Sequence, residues 1–366
     1  MIRQLSTITR NTFTESIRQP IFTVLTLIAA FGIILGPQLA AYSMETGDGD
    51  RKLLVDMGLS MIFITGMLLA AFTATGVLTR EIDQKTVLTV VSKPVYRPVF
   101  VVGKFLGVAG AILVAYWTLC LLFMGTYRQG AFSTVRDPVD GPVVLFFLAA
   151  GLLATAVAAG GNYLYNWVFT STFIKTLAAA STAAFLGVLL VSVDWALQSP
   201  LHEFTVGGGE LAQIAVGLFM VFQAVLILTA VAIAVSARLG QVMTLLICVA
   251  TFFLGVITSS LSGKVNERLS LPAELDVFAS LAAVFGANLD AATKTAYAAS
   301  KLLYLVAPNL QYLWPADAIT QGHSLVHNAQ GEFTLSVLGL TSAYASLYIT
   351  VVLALAVALF QRREVG

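Results

Sequence analysis

The 366-residue chain is 58% hydrophobic and 11% charged, with a formal net charge of +1. Soluble globular domains hold roughly 45–50% apolar and about 25% charged residues, so this composition excludes a water-soluble enzyme and predicts an all-α, polytopic helical membrane protein. The net charge argues neither for nor against nucleic acid, but no basic cluster is interleaved with aromatics, and no nucleic-acid partner is expected.

Residues 1–19 place Leu5, Ile8, Phe13 and Ile17 near helical spacing, with Arg3, Arg10 and Arg18 available to phospholipid headgroups. That pattern predicts a helix lying in the cytoplasmic interface, followed by a bend at Pro20. As a signal sequence the segment fails: Asn11, Thr14 and Glu15 interrupt it and no A-x-A-like site follows a short apolar core. The first span is therefore expected to stay as an anchor.

A helix needs roughly 20 apolar residues to cross about 30 Å of hydrocarbon. Read from charge to charge, eight stretches qualify: Arg18 to Glu45, Asp56 to Arg80, Lys104 to Arg128, Asp140 to Lys175, Lys175 to Asp194, Glu210 to Arg238, Arg238 to Lys264 and Glu332 to Arg362. Lys175 is the one charge between Asp140 and Asp194. A six-span alternative therefore makes Val143 to Val193 a re-entrant hairpin, or one long helix with an interfacial piece. Either count leaves both termini on one side. With the N-terminus cytoplasmic, the inner segments hold twelve basic residues: Arg3, Arg10, Arg18, Arg80, Lys85, Lys93, Arg97, Lys104, Lys175, Arg238, Arg362 and Arg363. The short outer loops hold four, Arg51, Lys52, Arg128 and Arg136. The positive-inside rule then predicts both termini in the cytoplasm of a cell-membrane protein, the inner membrane where there are two.

Small residues mark two of the spans as closely packed, Gly66, Ala70, Ala71 and Ala74 in the second and Ala158, Ala159, Gly160 and Gly161 in the fourth. Cys120 and Cys248 fall inside predicted spans, so no disulfide framework is indicated. The segment 264–334 is the longest polar-containing loop. Within it, Val277 to Gly286 is apolar yet too short to cross, and the run from Asp290 to Pro308 is helical in composition. Two short re-entrant or interfacial helices capping the outer face are expected. With no internal repeat and no low-complexity tract, residues 1–366 read as one transmembrane domain.

A membrane enzyme should carry a nucleophile with its base, a metal constellation or paired acids near a span end. H-E-x-x-H, G-x-S-x-G and C-x-x-C do not occur. His323 and His327 are four apart, but their segment is bounded by glycines and offers Asp317 alone as a further ligand; a polar outer loop is the better reading. The phosphate-cradling G-x-x-x-x-G-K-[ST] is also missing, Gly103-Lys104 lacking the preceding glycine. Charges fall at the ends of the apolar runs, which counts against a proton- or sodium-coupled carrier. The expectation is a non-enzyme with no catalytic, cofactor or metal residues of its own.

The densest charge lies between the second and third runs, from Arg80 to Lys104. "TREIDQKTVLTVVS" can form a short helix with Ile82, Leu88 and Val91 near one side and Arg80, Asp83, Gln84 and Lys85 on another, stopped by Lys93-Pro94. Such a helix, held between two spans with polar and apolar faces exposed, is a docking surface for a partner.

The same stretch, "REIDQKTVLTVVSKPVYRPVFVVGKFLG", resembles the cytoplasmic segment between the second and third spans of type-2 ABC exporter permeases. The matching positions are Glu81, Thr86, Leu88, Ser92, Lys93, Pro94, Arg97, Phe100, Gly103 and Lys104. "TRNTFTESIRQPIF" resembles the family's interfacial helix, "VSARLGQVMTLLICVATFFLG" its Ser-x-Arg turn, and "LYLVAPNLQYLWPADAI" with "VALFQRREVG" its last third. The chain departs at Pro142 to Asp194, where there is room for an extra pair of spans. The Lys-Pro and final Arg-Arg segments are nearest the permeases of nitrous-oxide-reductase maturation, whose substrate is not carried over.

The resemblance implies a permease that pairs with a second copy, as homodimer or heterodimer, and docks a separate ABC ATP-binding subunit supplying ATP and Mg. Its docking residues would be Arg80, Glu81, Lys85, Val87, Leu88, Val91, Lys93 and Pro94. Glu81 and Lys85 would make polar contacts, Val87, Leu88 and Val91 would pack, and Pro94 would be the rigid stop. The alternative is a non-transporting anchor or mechanical transmitter that uses the same ATPase to act on an outer partner through residues 264–334.

Overall fold

A computed structural model describes residues 2–40, 48–83, 96–132, 139–205, 209–268, 294–295, 297–299, 301, 306–320, 325 and 336–361. Its long helices are α1 (Ile2–Arg18), α2 (Pro20–Ala40), α3 (Asp48–Asp83), α4 (Arg97–Gln129), α5 (Gly141–Tyr165), α6 (Phe169–Leu190), α7 (Glu210–Ser236), α8 (Gln241–Arg268) and α9 (Ser336–Gln361). Among the described residues no strand forms. One isolated bridge, Val191 to Leu197, closes the loop after α6. Seven of these helices are long and apolar enough to cross a membrane: α2 to α7 and α9. The eighth expected span is α8, whose apolar part is the shorter Gln241–Ile257. The protein is thus an all-α polytopic membrane bundle.

Local chemistry sets the helix ends. Pro98 sits in the first turn of α4, where its missing N–H leaves no hydrogen bond unmade. The same helix stops at Gly130, whose φ of 72° lets its N–H return to the carbonyls of Thr126 and Tyr127. Asp140 caps α5 by accepting from the Val143 N–H at 3.1 Å. Asn166 ends α5 in the left-handed region, φ 53°, and its side-chain neighbour Asn162 donates to the Trp167 carbonyl at 2.7 Å.

This turn corrects the boundary read from charge. The chain reverses at Asn166 to Val168, and Lys175 lies exposed two turns into α6. A long lysine can carry its ammonium back along the helix to the end of the bundle, so a charge need not mark the turn. At 25 and 22 residues, α5 and α6 are two helices of spanning length, not one long helix with an interfacial piece. The opening helix is also unbroken at Asn11, Thr14 and Glu15, because Asn11 faces outward and the other two lie at the edge of the packed face.

The core runs along α3, α4 and α7, and α7 is the most enclosed span. Val225 packs on Gly66, and Ala70, Ala71 and Ala74 are buried as the second-span pattern predicts. In α5 the pattern is split: Ala158 and Gly161 face inward, whereas Ala159 is exposed and Gly160 borders open space. Polar links fix the helices at intervals. The Tyr116 hydroxyl donates to the Leu218 carbonyl at 2.6 Å, the Trp117 indole to the Thr182 hydroxyl at 3.0 Å, and the Gln223 amide to the Ser342 hydroxyl at 2.8 Å. Cys120 and Cys248 are buried and free. Within residues 264–334, Leu310–Leu313 forms a 3-10 turn and Ala316–Thr320 a short helix, with Trp314 edge-on to Phe63 at 5.8 Å. Val277 to Gly286, His323 and His327 lie outside the described residues, as does the Asp317 side chain.

Candidate functional site

The predicted docking segment is framed on both sides. Arg80 and Glu81 belong to the last turn of α3, so the helix runs on past the apolar span Gly49–Val77 and through them; their side chains lie outside the described residues. Lys85, Val87, Leu88, Val91, Lys93 and Pro94 also lie outside the described residues. On the far side Tyr96 is extended, and α4 begins at Arg97.

The first turns of α4 assemble this end of the bundle. Gly103, Gly107 and Gly110 lie at i, i+4 and i+7, one face of a helix, and α1 lies against it. A Cβ on Gly103 would come within 2.8 Å of Ile8, and one on Gly107 within 2.5 Å of Thr12 and 2.8 Å of the Thr9 carbonyl. One on Gly110 would touch Phe13 at 3.5 Å. Ile8 and Phe13, predicted for the apolar face of the first helix, therefore do pack, and Ile17 is fully buried. Gln19, just past α1, reaches Gly76 of α3, and the Thr170 hydroxyl of α6 donates to the Arg18 carbonyl at 3.2 Å.

Phe100 and Lys104 do the equivalent work for the end of the chain. Phe100 stacks on Phe360 of α9 at 5.5 Å, and the Lys104 ammonium sits 5.5 Å over the Phe100 ring while its residue is only 4% exposed. That geometry is a cation–π contact. Arg238, after α7, directs Nε and Nη2 to the Leu359 carbonyl at 3.4 Å each. The first helix, the last helix and both flanks of segment 84–95 thus meet at one end of the bundle. Sequence reasoning found Gly103 and Lys104 but missed Gly107 and Gly110. Their four- and three-residue spacing was the available signal.

Two charge clusters occupy the opposite end, where sequence reasoning counted Arg51 and Arg128 only as loop charges. Arg128, at the end of α4, has its Nε 3.0 Å from Asp140 and 3.5 Å from Glu203. The Nε–Asp140 pair is ionic rather than aligned for hydrogen bonding. Its guanidinium also donates to the carbonyls of Val188 and Val191, the latter at 2.8 Å. The Arg128 and Asp140 side chains are 7% and 3% exposed, and Gln198 completes the set by donating to Glu203 at 2.7 Å. One arginine thereby joins α4, the start of α5, the end of α6 and the His202–Thr205 turn.

In the second cluster Arg51 grips Glu210 through two contacts of 3.0 and 2.7 Å, and the Tyr127 hydroxyl donates to the same carboxylate at 2.7 Å. Arg51 and Glu210 are 58% and 32% exposed, and exposed pairs contribute only about 0–1 kcal/mol. Arg51→Ala is therefore expected to move the thermal midpoint of the purified chain by no more than a few degrees.

Among the described residues, no group of three or more His, Cys, Asp or Glu could hold a metal ion. Apolar clefts of about 340 Å3 flank α3, one against α2 and one against α7, α8 and Trp314, and Ser60 and Ile64 border both. The described geometry is a set of helices held together at the two flanks of segment 84–95. A family model described as ABC-2 family transporter protein matches residues 6–365. No curated protein matches the chain.

Proposed function

This chain belongs to the ABC-2 family of transporter proteins, and from that premise we propose that it is the permease subunit of an ATP-driven exporter whose segment from Arg80 to Pro94 docks a separate ATP-binding subunit. The membrane-component role goes with the family; the coupling, the export direction and the docking residues are our reading. One observation carries it: the two ends of the docking segment, the first helix and the last helix converge on one end of the bundle and are locked there through Gly103, Phe100 and Lys104. A push on that segment would enter α3 and α4 together and reach the core through them.

In this reading both termini are cytoplasmic, a second permease copy completes the transporter, and ATP with Mg binds the partner subunit. Closure of the ATP-binding subunits moves the docking segment and rocks the spans between inward- and outward-facing states. Glu81 and Lys85 make polar contacts, Val87, Leu88 and Val91 pack on the partner, and Pro94 stops the segment.

Copurification tests the complex directly: the tagged chain in mild detergent should bring down a stoichiometric subunit with a phosphate-loop ATPase motif. Leu88→Asp is expected to lower complex-stimulated ATPase activity at least tenfold, since a charge in a packed contact costs more than 1.4 kcal/mol. Membrane insertion should stay intact. Unchanged coupling would remove Leu88 from the docking surface. ATPase activity that responds to an outer protein and to no transported substrate would favour the transmitter alternative.

A further inference from the structure

We propose that the corner between α1 and α2 is a headgroup site for an anionic phospholipid, with Arg10 and Arg18 holding its phosphodiester. The inference rests on the chain spanning a membrane and is independent of the ATPase-docking reading. Arg3, Arg10 and Arg18 all lie on the exposed side of α1, opposite the face seated on α4. At the corner a polar cavity of about 620 Å3 opens beside Pro20, lined by Arg10, Asn11, Thr14, Glu15 and Arg18. Two guanidinium groups against one carboxylate leave its wall net positive. Arg10 and Arg18 are eight residues apart, about 12 Å along the helix, a gap that two extended arginine side chains can close. Guanidinium forks suit the paired oxygens of a phosphodiester.

The surroundings distinguish a lipid from a soluble anion. From Pro20 an exposed apolar stripe runs down α2 through Val24, Leu27, Ile28, Phe31 and Ile34. An acyl chain leaving the cavity would lie along it. The depth is marked independently by the turn from α5 to α6. There Tyr163, Tyr165, Trp167 and Phe169 are exposed together, Tyr165 stacking on Trp167 at 5.3 Å, and Thr170 binds the Arg18 carbonyl. Exposed tyrosine and tryptophan gather at the headgroup level of a bilayer, so the aromatic turn sets Arg18 at that level.

The test is a thermal-shift titration of the full-length chain in detergent with phosphatidylglycerol and, separately, phosphatidylcholine. Phosphatidylglycerol should raise the midpoint saturably and phosphatidylcholine should not. At about 1 kcal/mol per basic residue near an anionic surface, the double variant Arg10→Gln/Arg18→Gln should weaken the half-saturating concentration about thirtyfold. Arg3→Gln, on the same stripe but outside the cavity, should change it less than about twofold, because its charge reaches the headgroup only through screening solvent. Equal shifts with both lipids, or an Arg3→Gln loss of about fivefold or more, would overturn the site in favour of general surface adsorption. A double variant that keeps its lipid response but loses a copurifying ATP-binding subunit would reassign the stripe to protein docking. If that variant does not survive purification, native mass spectrometry of the wild-type chain after equal exposure to both lipids decides. Retained phosphatidylglycerol in excess supports the site, and no preference overturns it.

Discussion

Arg128→Ala is expected to destabilise the chain more than any other single change at its end of the bundle, by about 3–5 kcal/mol, the range for breaking a buried ion pair by removing one partner. The cause is what remains. Asp140 stays almost fully buried without the arginine's charge, and among the described residues Glu203 keeps Gln198. The carbonyls of Val188 and Val191 at the end of α6 also lose their donor. The measurement is the thermal midpoint of the detergent-solubilised chain, alongside limited proteolysis of the loop after α6. Arg128→Met combined with Asp140→Asn should recover part of the loss, because it removes both charges of the 3.0 Å pair while leaving a cap for α5. A loss no larger than that of Arg51→Ala would mean that Arg128 is solvated and that its cluster contributes little.

Gly107→Val is expected to separate the first helix from the bundle. Its Cβ alone would lie 2.5 Å from Thr12 and 2.8 Å from a backbone carbonyl at Thr9, and a carbonyl on a helix cannot swing aside as a side chain can. Overpacking typically costs about 1–3 kcal/mol, and here relief requires moving α1 as a body. The readout is protection of α1 against limited proteolysis, which should fall at least fivefold in the valine variant. Complex-stimulated ATPase activity should fall with it, while Gly110→Ala, at an ordinary 3.5 Å contact with Phe13, should leave both near wild type.

Membrane character and most span positions were legible because hydrocarbon imposes a length and an absence of charge on each crossing. The amphipathic first helix was legible for a related reason: Ile8, Phe13 and Ile17 had to find an apolar seat. Three features were not. The turn at Asn166 carries no charge, and its signal is a single residue able to adopt the left-handed conformation. The Arg128 cluster joins positions 128, 140 and 203, and no local pattern pairs residues so far apart. Arginine at the end of an apolar run reads as a solvated loop charge until the fold brings carboxylates to it. The partner of α1 was hidden because three glycines carry no hydrophobic signature, although their spacing is plain once α1 is known to need a groove.

The seat of α1 on α4 also limits how that span can move. Turning α4 by one residue about its own axis would bring Lys104, Val108 and Ala111 under α1 in place of Gly103, Gly107 and Gly110, and the groove would be filled by side chains. Axial rotation is blocked, whereas a tilt that carries both helices together leaves every close approach unchanged. Whatever displaces the start of α4 must therefore displace α1 by a similar amount and, through Gln19 and Pro20, the start of α2. The three helices move as one body, and distances among labels placed on them should stay constant while their distances to α8, which packs on α3 and α7, change.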